Sequence, residues 1–117
     1  MILVTGAAGM TGLAVIAALR QAGARVRALS GSGRSTEKLL AAGACEVVTA
    51  SFSDAAGLTA AMASVETVFH VPPRMKPDEV ANGLNVISAA RVAGVRRVAL
   101  HSVINSQIQS IQFHVHK

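Results

Sequence analysis

Short runs that favour strands alternate with longer segments that favour helices along most of this chain. The first run is apolar, and the second alternates between charged and apolar residues at its start. Each run contains four to six residues, as expected of strands buried in a parallel sheet. The runs lie at residues 2–5, 25–29, 46–49, 67–71 and 97–102. The segments between them predict helices at residues 9–22, 36–42, 55–63 and 77–93.

Residues that commonly begin or end helices stand at the boundaries of these segments. Ser35 and Asp54 precede predicted helices, and their side chains can cap the first backbone N–H groups. Pro77 suits the first helical position, where no backbone N–H is needed. Glycines, which adopt the left-handed backbone that often ends a helix, follow three of the helices: Gly23, Gly43 and Gly94.

The alternation of five strands with four helices predicts an α/β fold with a doubly wound parallel sheet, the Rossmann architecture. The first four strands begin roughly every 20–25 residues, which is close to the length of a compact βα unit. We expect the strand order 3-2-1-4-5. Residues 1–102 then form a single nucleotide-binding domain.

Residues 103–117 differ from this domain. They mix three Gln with isolated apolar residues, have no strong period, and predict no sixth strand. We interpret them as a tail that leads into a missing remainder, so the fold is expected to be incomplete at its C-terminus. The fifth strand would then lie at the sheet edge and expose Val98 and Leu100, making the isolated chain unstable or self-associating. The alternative is a complete small domain whose tail covers that edge.

A glycine-rich loop stands between the first predicted strand and the first predicted helix. It reads Thr-Gly-Ala-Ala-Gly-Met-Thr-Gly at residues 5–12 and has the spacing GxxGxxG. Gly6 permits the tight turn off the strand, and Gly9 lets phosphates approach the backbone at the start of the helix. Gly12 lets the helix pack closely on the strand. The position and spacing predict a loop that holds the pyrophosphate of a dinucleotide.

The end of the second strand indicates which dinucleotide is preferred. An NAD-binding fold places Asp or Glu there to accept a hydrogen bond from the ribose 2′-hydroxyl, but this chain has no carboxylate before Glu37. Arg34, together with Ser30 or Ser32, could instead bind a 2′-phosphate. We therefore expect NADP to be favoured, with NAD still possible. The alternative is that Arg34 is a solvated loop cation.

Composition narrows the remaining functional classes. The 117 residues are about half apolar and carry a net charge of +5, but the cations are scattered and aromatic residues are few, so no nucleic-acid partner is expected. The positive charge also suits an anionic cofactor. The N-terminal apolar segment lacks a basic start and is broken by glycines, which argues against a signal peptide or membrane helix. The single cysteine, Cys45, indicates a cytoplasmic protein and is expected to be buried.

Several segments resemble the NmrA-like group of atypical short-chain dehydrogenases. They are Val-Thr-Gly-Ala-Ala-Gly-Met-Thr-Gly at 4–12, Val-Phe-His-Val-Pro at 68–72, Pro-Asp-Glu-Val-Ala at 77–81, Ala-Ala-Arg-Val-Ala-Gly-Val at 89–95, His-Ser-Val at 101–103 and His-Val-His-Lys at 114–117. The similarity runs through the whole chain but would cover only the N-terminal part of a typical member. Proteins of this group bind NAD(P); some reduce small substrates, and others are redox sensors that bind a partner protein.

The resemblance implies a set of cofactor contacts. Residues of the glycine loop would line the phosphates, namely Gly6, Ala8, Gly9, Met10, Thr11 and Gly12. Arg34 would contact the 2′-phosphate, and Ser51 and Phe52 would lie near adenine. The ribose on the nicotinamide side would be flanked by residues after the fourth strand, namely His70, Val71 and Pro72. Ser102 and Lys117 would face the nicotinamide and are weak candidates for a catalytic role.

The chain departs from this group at three places. Related proteins usually have Arg directly after the second strand, where this chain has Gly31, and Gly-Asp-Leu after the third strand, where this chain has Ala-Ser-Phe at 50–52. The Tyr-x-x-x-Lys pair of the wider class would place its tyrosine at Phe113 if Lys117 were the lysine. Because the chain contains no Tyr, no phenol can supply the proton that the standard carbonyl reduction requires.

Other catalytic chemistry finds little support in the sequence. His114 or His116 could donate a proton in principle, but histidines in a polar tail are more often solvated. No metal site is expected, because these two histidines have no cysteine or carboxylate nearby.

Two hypotheses follow. The chain is a non-catalytic NAD(P)-binding module or redox sensor whose ligand state is recognised by a partner. Alternatively, it is the cofactor half of an NADP-dependent oxidoreductase acting on a small carbonyl or quinone.

Overall fold

Strands and helices alternate strictly in the computed structural model, which describes residues 1–73 and 77–103. The strands are β1 (Ile2–Thr5), β2 (Val26–Ser30), β3 (Glu46–Thr49), β4 (Thr67–His70) and β5 (Arg97–Leu100). The helices are α1 (Met10–Gln21), α2 (Thr36–Ala42), α3 (Ala55–Ala61) and α4 (Glu79–Ala93). All nine elements predicted from the sequence are present, with boundaries that differ by at most two residues.

The five strands form one parallel sheet in the order β3-β2-β1-β4-β5, which confirms the predicted doubly wound fold. The chain therefore reverses its direction of winding between β1 and β4. In a sheet of this kind the carboxyl ends of the strands diverge at the reversal point and leave a crevice. Any ligand site is expected at that edge, beside the end of β1.

The strand side chains alternate between two apolar cores, one on each face of the sheet. Leu3 belongs to the core that α3 and α4 cover, together with Leu58 and Val86. Its neighbour Val4 belongs to the opposite core, which includes Ile16 of α1 and Leu39 of α2. Helices on both faces explain why β1 consists almost entirely of apolar residues.

The helix ends agree in part with the predicted caps. Gly23 and Gly94 have φ angles of +81° and +76°, as expected for glycines that end helices. The Asp54 carboxylate accepts a hydrogen bond from the Gly57 N–H at 3.0 Å and caps α3. Ser35 stands at the N-cap of α2, but its side chain forms no capping bond, so that prediction was wrong. Pro77 was also misplaced, because α4 begins two residues later.

Two further expectations concern the surface. Cys45 is exposed rather than buried, and its thiol donates to the Val26 carbonyl oxygen at 3.1 Å. Cys45 stands one residue before β3, outside the strands, so it does not join either apolar core. Among the described residues, no helix is long and apolar enough to cross a membrane. The predicted tail lies almost entirely outside the described residues, since only Val103 belongs to them.

Candidate functional site

The glycine loop connects β1 to α1 in a backbone arrangement that only glycine permits at two positions. Gly6 has a φ of +60°, and a Cβ there would collide with the carbonyl oxygen of Val71. A Cβ at Gly12 would overlap the Gly6 carbonyl oxygen and come within 2.6 Å of Ala7 Cα. The loop, the end of β4 and the first turn of α1 therefore pack directly backbone to backbone.

Gly9 differs from the other two loop glycines because the space beside it is open. A Cβ there would meet only the Gly6 carbonyl oxygen, at an ordinary contact distance of 3.6 Å. The protein itself would therefore accommodate a side chain at this position. The absence of one leaves the backbone accessible from the cleft, which is what close approach of a phosphate requires.

The N-terminus of α1 has no anionic group from the protein. Gly9 occupies its N-cap, no side chain caps it, and no acidic residue stands in its first turn. The first intrahelical bond runs from the Leu13 N–H to the Gly9 oxygen, so the three preceding N–H groups have no acceptor one turn earlier. Each of the other three described helices has either a capping aspartate or a glutamate in its first turn. The α1 terminus is thus left for an anion.

A cleft of about 380 Å³ opens at the carboxyl ends of the strands, where the chain reverses. Its size falls within the range of small-molecule sites in proteins. None of its lining residues carries a formal charge. They come from the glycine loop and from the ends of β2, β3 and β4. The lining residues are Gly6, Ala7, Ala8, Gly9, Met10, Thr11, Gly12, Leu29, Ser30, Gly31, Ala50, Phe52, Val71, Pro72 and Pro73.

Most of the residues assigned to cofactor binding from the sequence meet in this cleft. They are Gly6, Ala8, Gly9, Met10, Thr11, Gly12, Phe52, Val71 and Pro72. Ser51 is not among the lining residues; it is exposed, and its hydroxyl lies 2.8 Å from that of Ser53. Ser102 is exposed beyond the end of β5 and does not line the cleft, and Lys117 lies outside the described residues.

Arg34 also stands apart from the cleft wall. Its side chain is exposed, and its backbone N–H is directed towards the Ser32 hydroxyl at 3.4 Å. Ser30, in contrast, lines the cleft and accepts a hydrogen bond from the Gly33 N–H at 2.9 Å. The predicted contact of Arg34 with a 2′-phosphate therefore stays a prediction.

His70 lies beneath the cleft rather than in it. Its ring is buried, and Nδ1 is 2.6 Å from the hydroxyl oxygen of Thr5, at the paired ends of β4 and β1. The ring of Phe52, which does line the cleft, meets His70 edge-on with 5.7 Å between the centroids. His70 thus connects the strand that leads into the glycine loop with one wall of the cleft.

Six lining residues were missed by the sequence reasoning: Ala7, Leu29, Ser30, Gly31, Ala50 and Pro73. Ser30 had been considered only as a partner of Arg34. Five of the six stand in the glycine loop or at the end of a strand. The rule that ligands bind outside the carboxyl ends of parallel strands could have found them once the strand ends were located.

The fold and the cleft together define the class: this is a Rossmann-type domain with a glycine-rich loop at its chain reversal. The sequence matches the profile of the NmrA-like family over residues 1–116. The chain belongs to the NmrA-like family. This confirms the family resemblance seen in the sequence motifs.

Solved structures support the same assignment. An Escherichia coli NADPH-dependent quinone oxidoreductase complexed with NADPH is 28% identical, with a TM-score of 0.88 over 99% of this chain. A triphenylmethane reductase from a Citrobacter species is 24% identical, with a TM-score of 0.84 over 98% of this chain, and shares the fold. In both cases the chain spans 41% of the other protein's length. A comparison with curated proteins gave no match.

Proposed function

We propose that this chain is an NADP(H)-binding module whose cleft holds the dinucleotide with its pyrophosphate on the glycine loop. The observation that carries the proposal is the N-terminus of α1, which opens into the cleft without a capping side chain or an acidic residue. Backbone N–H groups and the helix dipole supply the attraction for the phosphates at that point. The net charge of +5 adds a general attraction for an anionic ligand.

The position of the wall residues sets the direction of the bound cofactor. Adenosine would lie over the ends of β2 and β3, where Ser30, Ala50 and Phe52 line the cleft. The nicotinamide side would lie over the end of β4, beside Val71 and Pro72. This arrangement follows the general rule that a dinucleotide spans the crevice at the reversal of strand order.

NADP is proposed over NAD for two reasons. No Asp or Glu lines the cleft at the end of β2, so the usual carboxylate partner of a ribose 2′-hydroxyl is missing there. The similar Escherichia coli reductase is an NADPH complex. When bound, the nicotinamide would supply hydride-transfer chemistry, and the residues described above would bind and orient it.

A binding role is favoured over carbonyl reduction by this chain alone, because the sequence has no Tyr to donate a proton. The second candidate is the cofactor half of an NADP-dependent oxidoreductase, which is supported by the similarity to longer reductases. Mixing the chain with NADPH and a quinone, and following NADPH absorbance, tests the second candidate. Steady oxidation would support the oxidoreductase, whereas binding without turnover is expected both of a binding module and of an isolated cofactor half.

The loop assignment is tested by Gly9→Val. A Cβ at this position meets the protein only at an ordinary contact distance, and the valine side chain would occupy the space that the pyrophosphate needs. We expect NADPH binding measured by calorimetry to be lost while the circular dichroism spectrum is kept. Ala14→Val, which adds a branched residue to the exposed face of α1, is the matched control and should bind like wild type. Wild-type affinity in Gly9→Val would show that the loop does not hold the phosphates.

We also propose that the edge formed by β5 is a surface for self-association. All four residues of β5 are exposed, including Val98 at 42% and Leu100 at 52%. In the part of the chain that the structure describes, β5 is an edge strand, and such a strand offers unpaired backbone groups to a second chain. Sedimentation should show an average particle mass that increases with protein concentration. At equal concentration, Leu100→Lys should have a lower average mass than wild type. A monomer at all concentrations would contradict the proposal.

A further inference from the structure

The cleft described above contains no charged side chain, although NADP carries two phosphate sites. Backbone N–H groups of the glycine loop account for the pyrophosphate. No cation on the wall accounts for the 2′-phosphate, because the lining residues at the end of β2 are Ser30 and Gly31, of which only Ser30 offers a polar side chain. A cation for that phosphate has to reach the cleft from outside its wall.

Among the described residues, one cationic side chain is bonded to the glycine loop. Lys38 of α2 donates from Nζ to the carbonyl oxygen of Ala8 at 3.2 Å, and Ala8 lines the cleft. The ammonium group is therefore within one hydrogen bond of the cleft wall, on the side where α2 follows β2. Arg34 has no such contact, since its only described hydrogen bond uses its backbone N–H.

The loop between β2 and α2 holds Lys38 in this place. The Gly33 N–H donates to the Ser30 hydroxyl, and the Thr36 hydroxyl donates to the Gly33 carbonyl oxygen, both at 2.9 Å. These two bonds fold the loop back on itself, so the first turn of α2 stays close to the end of β2. Lys38 stands in that turn and extends its side chain towards the glycine loop.

Lys38 is also available for an anion. In the described part of the chain the salt bridge joins Arg27 to Glu46, and Lys38 takes no part in an ion pair. A lysine ammonium has three donor positions, and the Ala8 carbonyl uses one of them. The other two can donate to phosphate oxygens, which lysine binds as a compact positive charge.

We propose that Lys38, rather than Arg34, is the residue that recognises the 2′-phosphate and so determines the preference for NADP over NAD. The inference rests on the proposed function, because it concerns the same cleft and the same cofactor. It adds the residue that selects the cofactor, which lies on α2 and outside the sequence motifs.

The test compares dissociation constants of NADPH and NADH for wild type, Lys38→Ala, Lys38→Arg and Arg34→Ala. One charge-assisted contact corresponds to roughly tenfold or more in affinity. We expect Lys38→Ala to weaken NADPH binding by that factor and to leave the dissociation constant of NADH within about twofold of wild type. Lys38→Arg should keep most of the preference, because it keeps the charge, and Arg34→Ala should bind like wild type.

Adenosine 2′,5′-bisphosphate and 5′-AMP provide a second readout that does not involve the nicotinamide. Lys38→Ala should weaken binding of the bisphosphate and leave binding of 5′-AMP unchanged. An equal loss for NADPH and NADH would assign Lys38 to the pyrophosphate and overturn the proposal, as would a preference that follows Arg34 instead. If wild type binds neither dinucleotide, the proposed function itself is wrong. Because Lys38 is exposed, its variants should melt at the wild-type temperature, which separates loss of binding from loss of fold.

Discussion

Strands β1 and β5 flank the same strand, yet their surroundings differ completely. Val68 of β4 pairs with Leu3 on one side and with Val98 on the other. Leu3 has no exposed surface, whereas Val98 is 42% exposed. The two strands have comparable apolar character, so composition does not explain the difference. Position does, because β1 lies between two other strands and beneath helices on both faces, whereas β5 is at the edge of the sheet that the structure describes.

The residues that follow β1 and β5 also differ in how tightly they are packed. The end of β1 leads into close backbone packing that shapes the cleft, with two glycines that admit no side chain. The end of β5 leads to His101 and Ser102, which are both exposed. The region that is proposed to bind the cofactor is therefore more tightly packed than the β5 edge. We expect equivalent substitutions to have much larger effects at β1 than at β5.

The largest effect is expected from Gly12→Val, where α1 packs on the glycine loop. Its side chain would overlap the backbone of Gly6 and Ala7, which cannot move without displacing β1. We expect a loss of more than about 3 kcal/mol of unfolding free energy, enough to unfold a marginally stable domain. Gly31→Ala is the control, because a Cβ there meets no atom within 4 Å. Urea titration followed by circular dichroism measures both, and equal stabilities would contradict the packing described here.

A matched pair of leucines tests the comparison directly. Leu3→Ala removes a fully buried side chain and should cost about 2–5 kcal/mol of unfolding free energy. Leu100→Ala removes one that is 52% exposed and should cost less than about 1 kcal/mol at protein concentrations where the chain is monomeric. Denaturant midpoints of wild type and of the two variants give the two losses of stability. Similar losses in the monomer would contradict the exposure of β5 described here.

A pair of arginines extends the contrast to polar contacts. Arg27 of β2 is 13% exposed, donates to the Ala61 and Ala63 carbonyl oxygens at 2.7 Å, and pairs with Glu46. Arg27→Ala should cost roughly 1–3 kcal/mol, mainly through the carbonyl contacts, since Glu46 is partly solvated. Arg97→Ala on exposed β5 should stay within about 0.5 kcal/mol. Thermal melts compare the two, and a larger effect at Arg97 would reverse the interpretation.

The smallest expected effect concerns the hydrogen bond at the end of β1. Thr5→Val keeps the shape of the side chain but removes the hydroxyl that contacts His70 Nδ1. We expect a loss of about 1 kcal/mol, together with a measurable weakening of NADPH binding, because His70 supports Phe52 in the cleft wall. Ser102→Ala, beyond β5, should change stability by less than that. Unchanged stability and NADPH binding in Thr5→Val would show that His70 does not support the cleft wall.

The sequence predicted the fold and most of the glycine-loop site, and the reasons are local. Gly6 and Gly12 act through the backbone of neighbouring residues, so their spacing alone indicates the turn and the close packing. The exposure of Val98 and Leu100 also followed from the element count, which placed β5 last in a sheet of known order. The cap at Asp54 was found because its partner Gly57 is three residues away.

What the sequence alone determined was therefore the order and type of the elements, the position of the glycine loop and the family. Only the tertiary structure decided which distant residues meet: Thr5 with His70, 65 positions later, and Lys38 with Ala8, 30 positions earlier. Local patterns carry no information on such pairs, because contact depends on how β4 pairs with β1 and on how α2 packs against the sheet. The same reason explains why Arg34 stood out in the sequence while Lys38 holds the contact to the site.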